Sequence, residues 1–513
     1  MRNRRFLTTL VGLIGALAFV PAANAASPNL IVNGGPRAGL CSSSGYEDMS
    51  NPGWTISAGA PEEVCLENTG HFPNASTPGA RSGSAFFAGG TRGDGSLTQT
   101  VSVDGDRRQI DAGRATFDLS GWLGGYGSQD DRAVLIATFL NSAGGSLGSR
   151  RIGPVTNADR GNLTSFLRRE AAGPVPAGTR AIRLDLDFIW TSGEITAGYA
   201  QDLWLTVSSD RLRPAALIVP VSTVPRFDHV FLVFMENENL SATSNTVDGG
   251  AGIIGNPQAP YINALASENS LLTNYSALTH YSDPNYYGLA AGTTFGHTGG
   301  YGGLESNCVQ TCVFHAPSLG DRTEAVGKTW KEYEDGANGN CDTTTHGYYY
   351  PDDAPFLYFA KMRDDRAYCK AHMQPLTAMF SNLRSASTTP NFSWFAADDC
   401  FDMESCGIAA GDTWLSTTLP HIFDSPAWRG QRSLLIVTWD EDGNNLPGWF
   451  GNGQTNRVAT ILVGSQNSVK RGFQSAVRYD HYSAARMIEA ALGLSPLTDN
   501  DRYATPINDA FNH

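Results

Sequence analysis

Separate segments of this chain carry residues that could do chemistry together. The apolar run Val230-Phe231-Leu232-Val233-Phe234 ends in Met235-Glu236-Asn237, and Leu434-Leu435-Ile436-Val437 ends in Thr438-Trp439-Asp440-Glu441-Asp442-Gly443. Carboxylate and amide oxygens are hard ligands, so two such clusters suit a divalent cation. Asp, Asn and Gly are equally the ordinary residues of strand-end turns. Between them lies Thr279-His280-Tyr281-Ser282-Asp283-Pro284-Asn285-Tyr286-Tyr287-Gly288. Ser282 is placed as the N-cap of a helix with Pro284 in its first turn. Free N–H groups and a positive dipole end there make a seat for phosphate, with the serine hydroxyl aimed at phosphorus; an isolated Ser-x-Pro can also be simply a cap. Further on, Tyr479-Asp480-His481-Tyr482-Ser483 precedes an amphipathic stretch. His481 could contact phosphate, ligate a metal, act as an acid or only cap its helix.

The elements that must position these residues differ between the two halves. In the second half the two apolar runs and a third, Ala459-Thr460-Ile461-Leu462-Val463, read as strands covered on both faces. Helical stretches such as Pro260–Ser267 and Tyr482–Leu492 accompany them. This predicts an α/β domain with a mainly parallel sheet, whose active site lies beyond the carboxyl ends of strands. The first half alternates instead: in Ala181-Ile182-Arg183-Leu184-Asp185-Leu186-Asp187-Phe188 the even positions are apolar. Runs of this kind at Leu97–Val103, Arg114–Leu119, Val134–Leu140 and Leu203–Val207, with no convincing helix, predict an antiparallel sandwich. Gly144-Gly145-Ser146-Leu147-Gly148 matches a hydrolase nucleophile motif, but such an elbow joins a strand to a helix, whereas this one reads as a hairpin loop. Pro214, Pro220 and Pro225 mark a linker.

With 513 residues the chain is long enough for more than one core, and a net charge of −14 supplies no basic face for DNA or RNA. Arg2, Arg4 and Arg5, an apolar Leu10–Val20 stretch and Ala23-Asn24-Ala25 read as an export signal cleaved near Ala25-Ala26, too short for a transmembrane span. The expected organisation is signal 1–25, sandwich 26–210, linker 211–225 and catalytic domain 226–513. The mature protein is expected to be secreted, periplasmic or on the cell surface. Eight cysteines in an exported chain suggest disulfides, and no C-x-x-C pair points to zinc. Pairing within each half is simplest, and we expect Cys41–Cys65, Cys308–Cys312, Cys341–Cys369 and Cys400–Cys406.

Two resemblances extend this reading. The first half is similar to galactose-binding-like jelly rolls in Asn29-Leu30-Ile31-Val32-Asn33-Gly34-Gly35, Gly53-Trp54, the Gln99 strand and Gly198-Tyr199-Ala200-Gln201-Asp202-Leu203. That likeness implies a possible glycan ligand and a possible structural Ca²⁺; a stabilising domain without a ligand fits equally. The second half, from about Phe227 to Gly493, resembles secreted bacterial acid phosphatases and phospholipases C of the alkaline-phosphatase-like superfamily. The likeness runs through Glu236-Asn237, Ser282-x-Pro-Asn-Tyr, Leu289-x-x-Gly292, Trp330-Lys331-x-Tyr333, Asp412-x-Trp414-Leu415, Pro426-x-Trp428, Asp440-Glu441-Asp442 and the His481 block. It implies that Glu236, Asn237, Asp440 and Glu441, with Ser282, bind one divalent cation. Oxygen ligands favour Ca²⁺, Mg²⁺ or Mn²⁺ over Zn²⁺. Ser282 would be the nucleophile, Asn285 a donor to the phosphoryl group, and His481 an aid to phosphate binding or proton transfer. His280, Asp353, Asp402 and Glu404 would line the substrate position.

The chain departs from these relatives at Asp352-Asp353-Ala354-Pro355-Phe356, where Lys-His-Asn-Pro-Phe is frequent, and at Glu404, where a histidine is expected. Acids there would repel a phosphate dianion, at ~4 kcal/mol per pair of unit charges at 4 Å. Either they recruit a further cation or the substrate is not a simple monoester. Sulfatases, with arginine at the position of Tyr286, are argued against. The expected substrates are small phosphate monoesters, phosphoinositide head groups among them. The alternatives are a phospholipase C-like phosphodiesterase and an inactive glycan-binding protein. The absence of an Asp-His pair near Thr455-Asn456-Arg457-Val458 favours the phosphatase.

Overall fold

Alternation in the first half and continuous apolar runs in the second separate into two architectures in the structure, a computed structural model. It describes residues 28–35, 41–47, 49–68, 70–81, 85–90, 93–208, 217–242, 252–297, 308–309, 311–443 and 456–512. The expected export signal and its cleavage site lie outside the described residues, as does the 211–216 part of the linker.

The first half is a sandwich of two five-stranded antiparallel sheets. One is ordered Thr55–Ala58, Gly95–Ser102, Ala181–Ile189, Arg132–Leu140, Ser146–Ile152 and the other Glu62–Cys65, Ala85–Ala88, Gly198–Val207, Thr116–Gly125, Ser165–Pro174. Ile182, Leu184, Leu186 and Phe188 are fully buried between them, as their period of two requires. The Gly144–Gly148 segment is the turn between Arg132–Leu140 and Ser146–Ile152, so Ser146 stands on an exposed strand. A short helix, Arg107–Asp111, interrupts the strands where none was expected.

The second half holds an eight-stranded sheet covered by helices. Its centre is built from β1 (His229–Met235), β2 (Phe392–Ala396), β3 (Ser433–Trp439) and β4 (Thr460–Gly464). β2, β1 and β3 run parallel, with Phe234 opposite both Ala396 and Thr438. All residues of β1 and β3 are buried. β4, the third apolar run, is antiparallel to β3, so the sheet is mixed. Burial on both faces makes a strand apolar whichever way it runs, and composition therefore cannot report direction. Two helices flank the site, α1 (Ser282–Ala291) and α2 (His481–Leu492). Gly292 closes α1 in the left-handed region at φ 71°, and a Cβ there would lie 2.4 Å from Asp501 Oδ1. All four expected disulfides are present. The halves meet where Met49 packs with Leu278, Tyr482 and Ala504.

Near the end of α2, Glu489 is buried beside Asp501 and Arg486, and burial together with the Asp501 charge pushes its carboxyl up to about 10. The folded state therefore holds a proton that the unfolded chain releases near pH 4.5. This contribution to stability is fully present below that pH and is lost progressively as pH rises towards 10. Glu489→Gln is expected to raise the melting temperature at pH 8 and to flatten its decline between pH 5 and 9, measured by calorimetry. An unchanged slope would remove Glu489 as its source.

Candidate active site

β1, β3 and β2 end side by side, and the residues just past each strand end form the site. Glu236 and Asn237 leave β1, with Asn237 at φ 47°, a left-handed backbone that asparagine tolerates better than most residues. Asp440 leaves β3; its N–H donates to Met235 O at 2.9 Å, and its Oδ1 accepts the Asn237 N–H at 3.1 Å. The loop after β2 brings Asp399, Asp402 and Glu404, with the Cys400–Cys406 disulfide closing it. Met403 sits inside that ring at φ 103°, a strained conformation held by its surroundings. Asp353 comes from the short turn Pro351–Asp353.

Ser282 faces this group. Its Oγ lies 3.3 Å from Glu236 Oε2 and 3.5 Å from Asn237 Oδ1, and its side chain is half-buried. It is the first residue of α1, not the N-cap. Tyr281 occupies the cap position with no side-chain bond to the helix, so the Ser282 hydroxyl is free to point outwards. Tyr286, one turn on, donates to Glu236 Oε1 at 2.5 Å and aims the other oxygen at Ser282.

Three residues expected at the substrate stand behind the site instead. Asn285 is fully buried: its Oδ1 accepts from the N–H groups of Leu278 and Thr279 at 2.8 and 3.1 Å, and its amide donates to the carbonyls of Thr279 and Tyr281 at 2.8 and 3.2 Å. With both ends of the amide engaged, it has nothing to offer a phosphoryl oxygen and holds the loop that presents Ser282. His481 is buried with Nδ1 2.9 Å from Tyr275 OH and Nε2 2.8 Å from Asp440 O. Burial pushes its imidazole down to about 4, so it supports the Asp440 backbone as a neutral ring. His280 lies with Nδ1 2.8 Å from Glu441 Oε2, off the N–H direction, and Nε2 3.3 Å from Asp442 Oδ1. Burial opposes its charge, but the two acids outweigh that and push it up to about 10. The Glu441 carboxylate is correspondingly turned to His280.

Burial pushes the carboxyls of Glu236, Asp440, Asp402 and Asp353 well above their usual range, and neighbouring acids push them further. Asp399 is raised to about 7 by burial and by Glu404. Glu404 Oε1 accepts from Asn237 Nδ2 at 3.2 Å. Asp440 Oδ2 is buried without a partner. An orphaned carboxylate oxygen beside Glu236, Asn237 Oδ1 and Ser282 Oγ fits the expected cation: the donors are hard oxygens, and buried acids need a counter-charge. Elsewhere among the described residues His297 lies against Cys308 and Cys312, but those sulfurs form a disulfide.

Sequence reasoning passed over Asp399, Tyr286 as a partner of Glu236, and Tyr275. The strand-end rule could have found Asp399, since Phe392-Ser393-Trp394-Phe395-Ala396 is a buried run broken only by Ser393.

The Phosphoesterase family model matches residues 251–495. The phosphatidylinositol-3-phosphatase of Mycobacterium tuberculosis is 29% identical over 295 residues, covering 56% of this chain and 85% of that protein. An acid phosphatase of Aspergillus fumigatus is 23% identical over 301 residues, 55% of this chain, and the chain spans 60% of that enzyme's length. A solved alkaline phosphatase superfamily protein from Vibrio parahaemolyticus aligns with TM-score 0.39 at 10% identity, over 55% of this chain and 70% of that one. The family match takes in the Ser282 helix and the strand ends that carry Asp402 and Asp440, so residues 251–495 are similar to the Phosphoesterase family, and with the phosphatase relatives this identifies a phosphoric ester hydrolase.

Proposed function

We propose that the protein is an exported, metal-dependent phosphatase that hydrolyses phosphate monoesters through Ser282. The observation that carries this reading is Ser282 Oγ at 3.3 Å from Glu236 Oε2, at the first residue of a helix and beside the orphaned Asp440 Oδ2. Similarity to a phosphatidylinositol-3-phosphatase supports phosphoinositide head groups as substrates. Four disulfides support an oxidising compartment, and among the described residues no helix is long and apolar enough to cross a membrane.

Ser282 Oγ attacks phosphorus, passing its proton towards Glu236 Oε2. The bond to the leaving alkoxide breaks as the Oγ–P bond forms, giving phosphoserine. His481 has both ring nitrogens engaged and His280 is buried against Glu441 and Asp442, so the departing oxygen takes its proton from water. A second water then attacks phosphorus, the Oγ–P bond breaks, the departing Oγ takes its proton back from Glu236, and phosphate leaves. Free N–H groups in the first turn of α1 share the developing charge. A divalent cation held by Glu236, Asn237, Ser282 and Asp440 would lower the pKa of the serine hydroxyl and neutralise phosphoryl charge. Glu441 would act through its pairing with His280.

Ser282→Ala is expected to lower phosphate release from p-nitrophenyl phosphate about 10⁶-fold, the scale of losing a serine nucleophile, with an unchanged circular dichroism spectrum. Equal rates in both proteins would eliminate Ser282. Release of phosphocholine from phosphatidylcholine, without action on the monoester, would favour the phosphodiesterase instead. Chelation followed by dialysis is expected to abolish turnover, with Ca²⁺, Mg²⁺ or Mn²⁺ restoring it better than Zn²⁺. Full activity after chelation would refute metal dependence.

For the sandwich, a groove of about 390 Å³ on the outer face of its second sheet favours a glycan ligand. It is lined by Trp122, Trp204, Asp118, Arg168, Asp202 and Thr206. Trp204 is 41% exposed, an open ring with hydrogen-bonding neighbours, which suits the apolar face and hydroxyls of a sugar. In affinity electrophoresis the full-length protein is expected to be retarded by polysaccharide and Trp204→Ala to run freely, with phosphatase activity retained. Equal mobility across a polysaccharide panel would leave the sandwich a stabilising domain.

A further inference from the structure

We propose that the site holds two divalent cations, with Glu236 between them and the second seated by Asp353 and Asp402. The inference rests on the phosphatase reading for the first cation only.

One carboxylate oxygen from each of Glu236, Asp353 and Asp402 lies within 4.8 Å of the others. That is the span across a single hard cation whose ligands stand at about 2.3–2.6 Å. The three come from different segments: the end of β1, the Pro351–Asp353 turn and the loop after β2. Asp402 is 1% exposed; its Oδ1 accepts the Glu404 N–H at 2.8 Å, while its Oδ2 is buried with no partner. A buried, unpartnered carboxylate oxygen beside two further acids calls for a positive charge. Among the described residues no lysine, arginine or histidine pairs with Glu236, Asp353, Asp402 or Glu404; the nearby His280 is engaged by Glu441 and Asp442.

One cation cannot serve every donor. Two orphaned oxygens, Asp440 Oδ2 and Asp402 Oδ2, stand at the ends of different strands, on either side of the residues just past β1. Glu236 reaches towards both groups, its Oε2 meeting Ser282 and its carboxylate belonging to the Asp353–Asp402 trio. The ligands divide into Asn237, Ser282 and Asp440 on one side and Asp353 and Asp402 on the other, while Glu404 Oε1 accepts from Asn237 Nδ2. A bridging carboxylate between cations about 3.5–4 Å apart is the arrangement that clamps both the attacking and the leaving oxygen of a phosphoryl group. The second cation also removes the repulsion that these acids would exert on a phosphate.

The test uses the full-length protein, stripped by chelation, dialysed and loaded with Mn²⁺ alone. Metal is counted by atomic emission, and the electron paramagnetic resonance spectrum is recorded. Wild type is expected to hold two Mn²⁺ per chain with an exchange-coupled spectrum. Asp353→Asn and Asp402→Asn are each expected to hold one, with an uncoupled six-line spectrum, at melting temperatures that confirm folding. Should Asp402→Asn fail to fold, Asp353→Asn on its partly exposed turn decides. One Mn²⁺ per wild-type chain, or a coupled pair surviving in Asp353→Asn, overturns the proposal. A coupled pair in a protein that releases no phosphate supports two cations and overturns the phosphatase reading alone.

Discussion

The structure depends on gathering carboxylates out of water at the ends of three neighbouring strands. Glu236, Asp402 and Asp440 are each 2% exposed or less, and each would be more stable in solvent if left alone. Hydrogen bonding meets only part of that demand. Tyr286 and Ser282 serve Glu236, backbone N–H groups serve one oxygen of Asp440 and one of Asp402, and the remaining oxygen of each aspartate has no protein partner. The fold must supply enough burial elsewhere to hold such a group together. The continuous apolar strands β1 and β3 do so, buried along their whole length directly beneath the acids.

Holding the acids is a separate task from presenting the serine, and different residues carry each. His481 reaches from the start of α2 to the carbonyl of Asp440 and is itself fixed by Tyr275, so the end of β3 is tied to a helix 41 positions later in the chain. Asn285 folds back to bind residues 278, 279 and 281, making the approach to Ser282 rigid. Met49 of the first half packs on Leu278 within that approach, so the sandwich touches the loop whose geometry sets the Ser282 hydroxyl. That contact gives the first half a structural stake in the site, separate from any ligand of its own.

Much of this was legible in the sequence because periodicity and strand-end position are local properties. Alternation over 181–188 reported one buried face, and apolar runs before Glu236 and Asp440 reported buried strands whose ends carry the acids. The direction of β4 was hidden, since partner order is settled by long-range packing. So were the roles of Asn285, His280 and His481. Their residue types suit phosphate contact, but whether a polar side chain faces ligand or backbone depends on neighbours distant in sequence, such as Asp440 for His481 and Glu441 for His280. Asp399 escaped because Ser393 broke the apolar count of β2, although that serine is fully buried.

The acids at 353 and 404 illustrate how a sequence departure changes meaning once partners are known. Read alone, each places a negative charge where a phosphate would sit. In the structure Asp353 shares one small volume with Glu236 and Asp402, while Glu404 accepts from Asn237. Charges so arranged are a liability only if the space between them holds no cation. An acid that repels substrate in an empty pocket attracts it through a bound metal, because the sign felt by phosphate is that of the whole assembly. The same carboxylates therefore cannot be judged as substrate contacts one at a time. Under the two-cation proposal, their effect on substrate choice would be set by how many cations they bind.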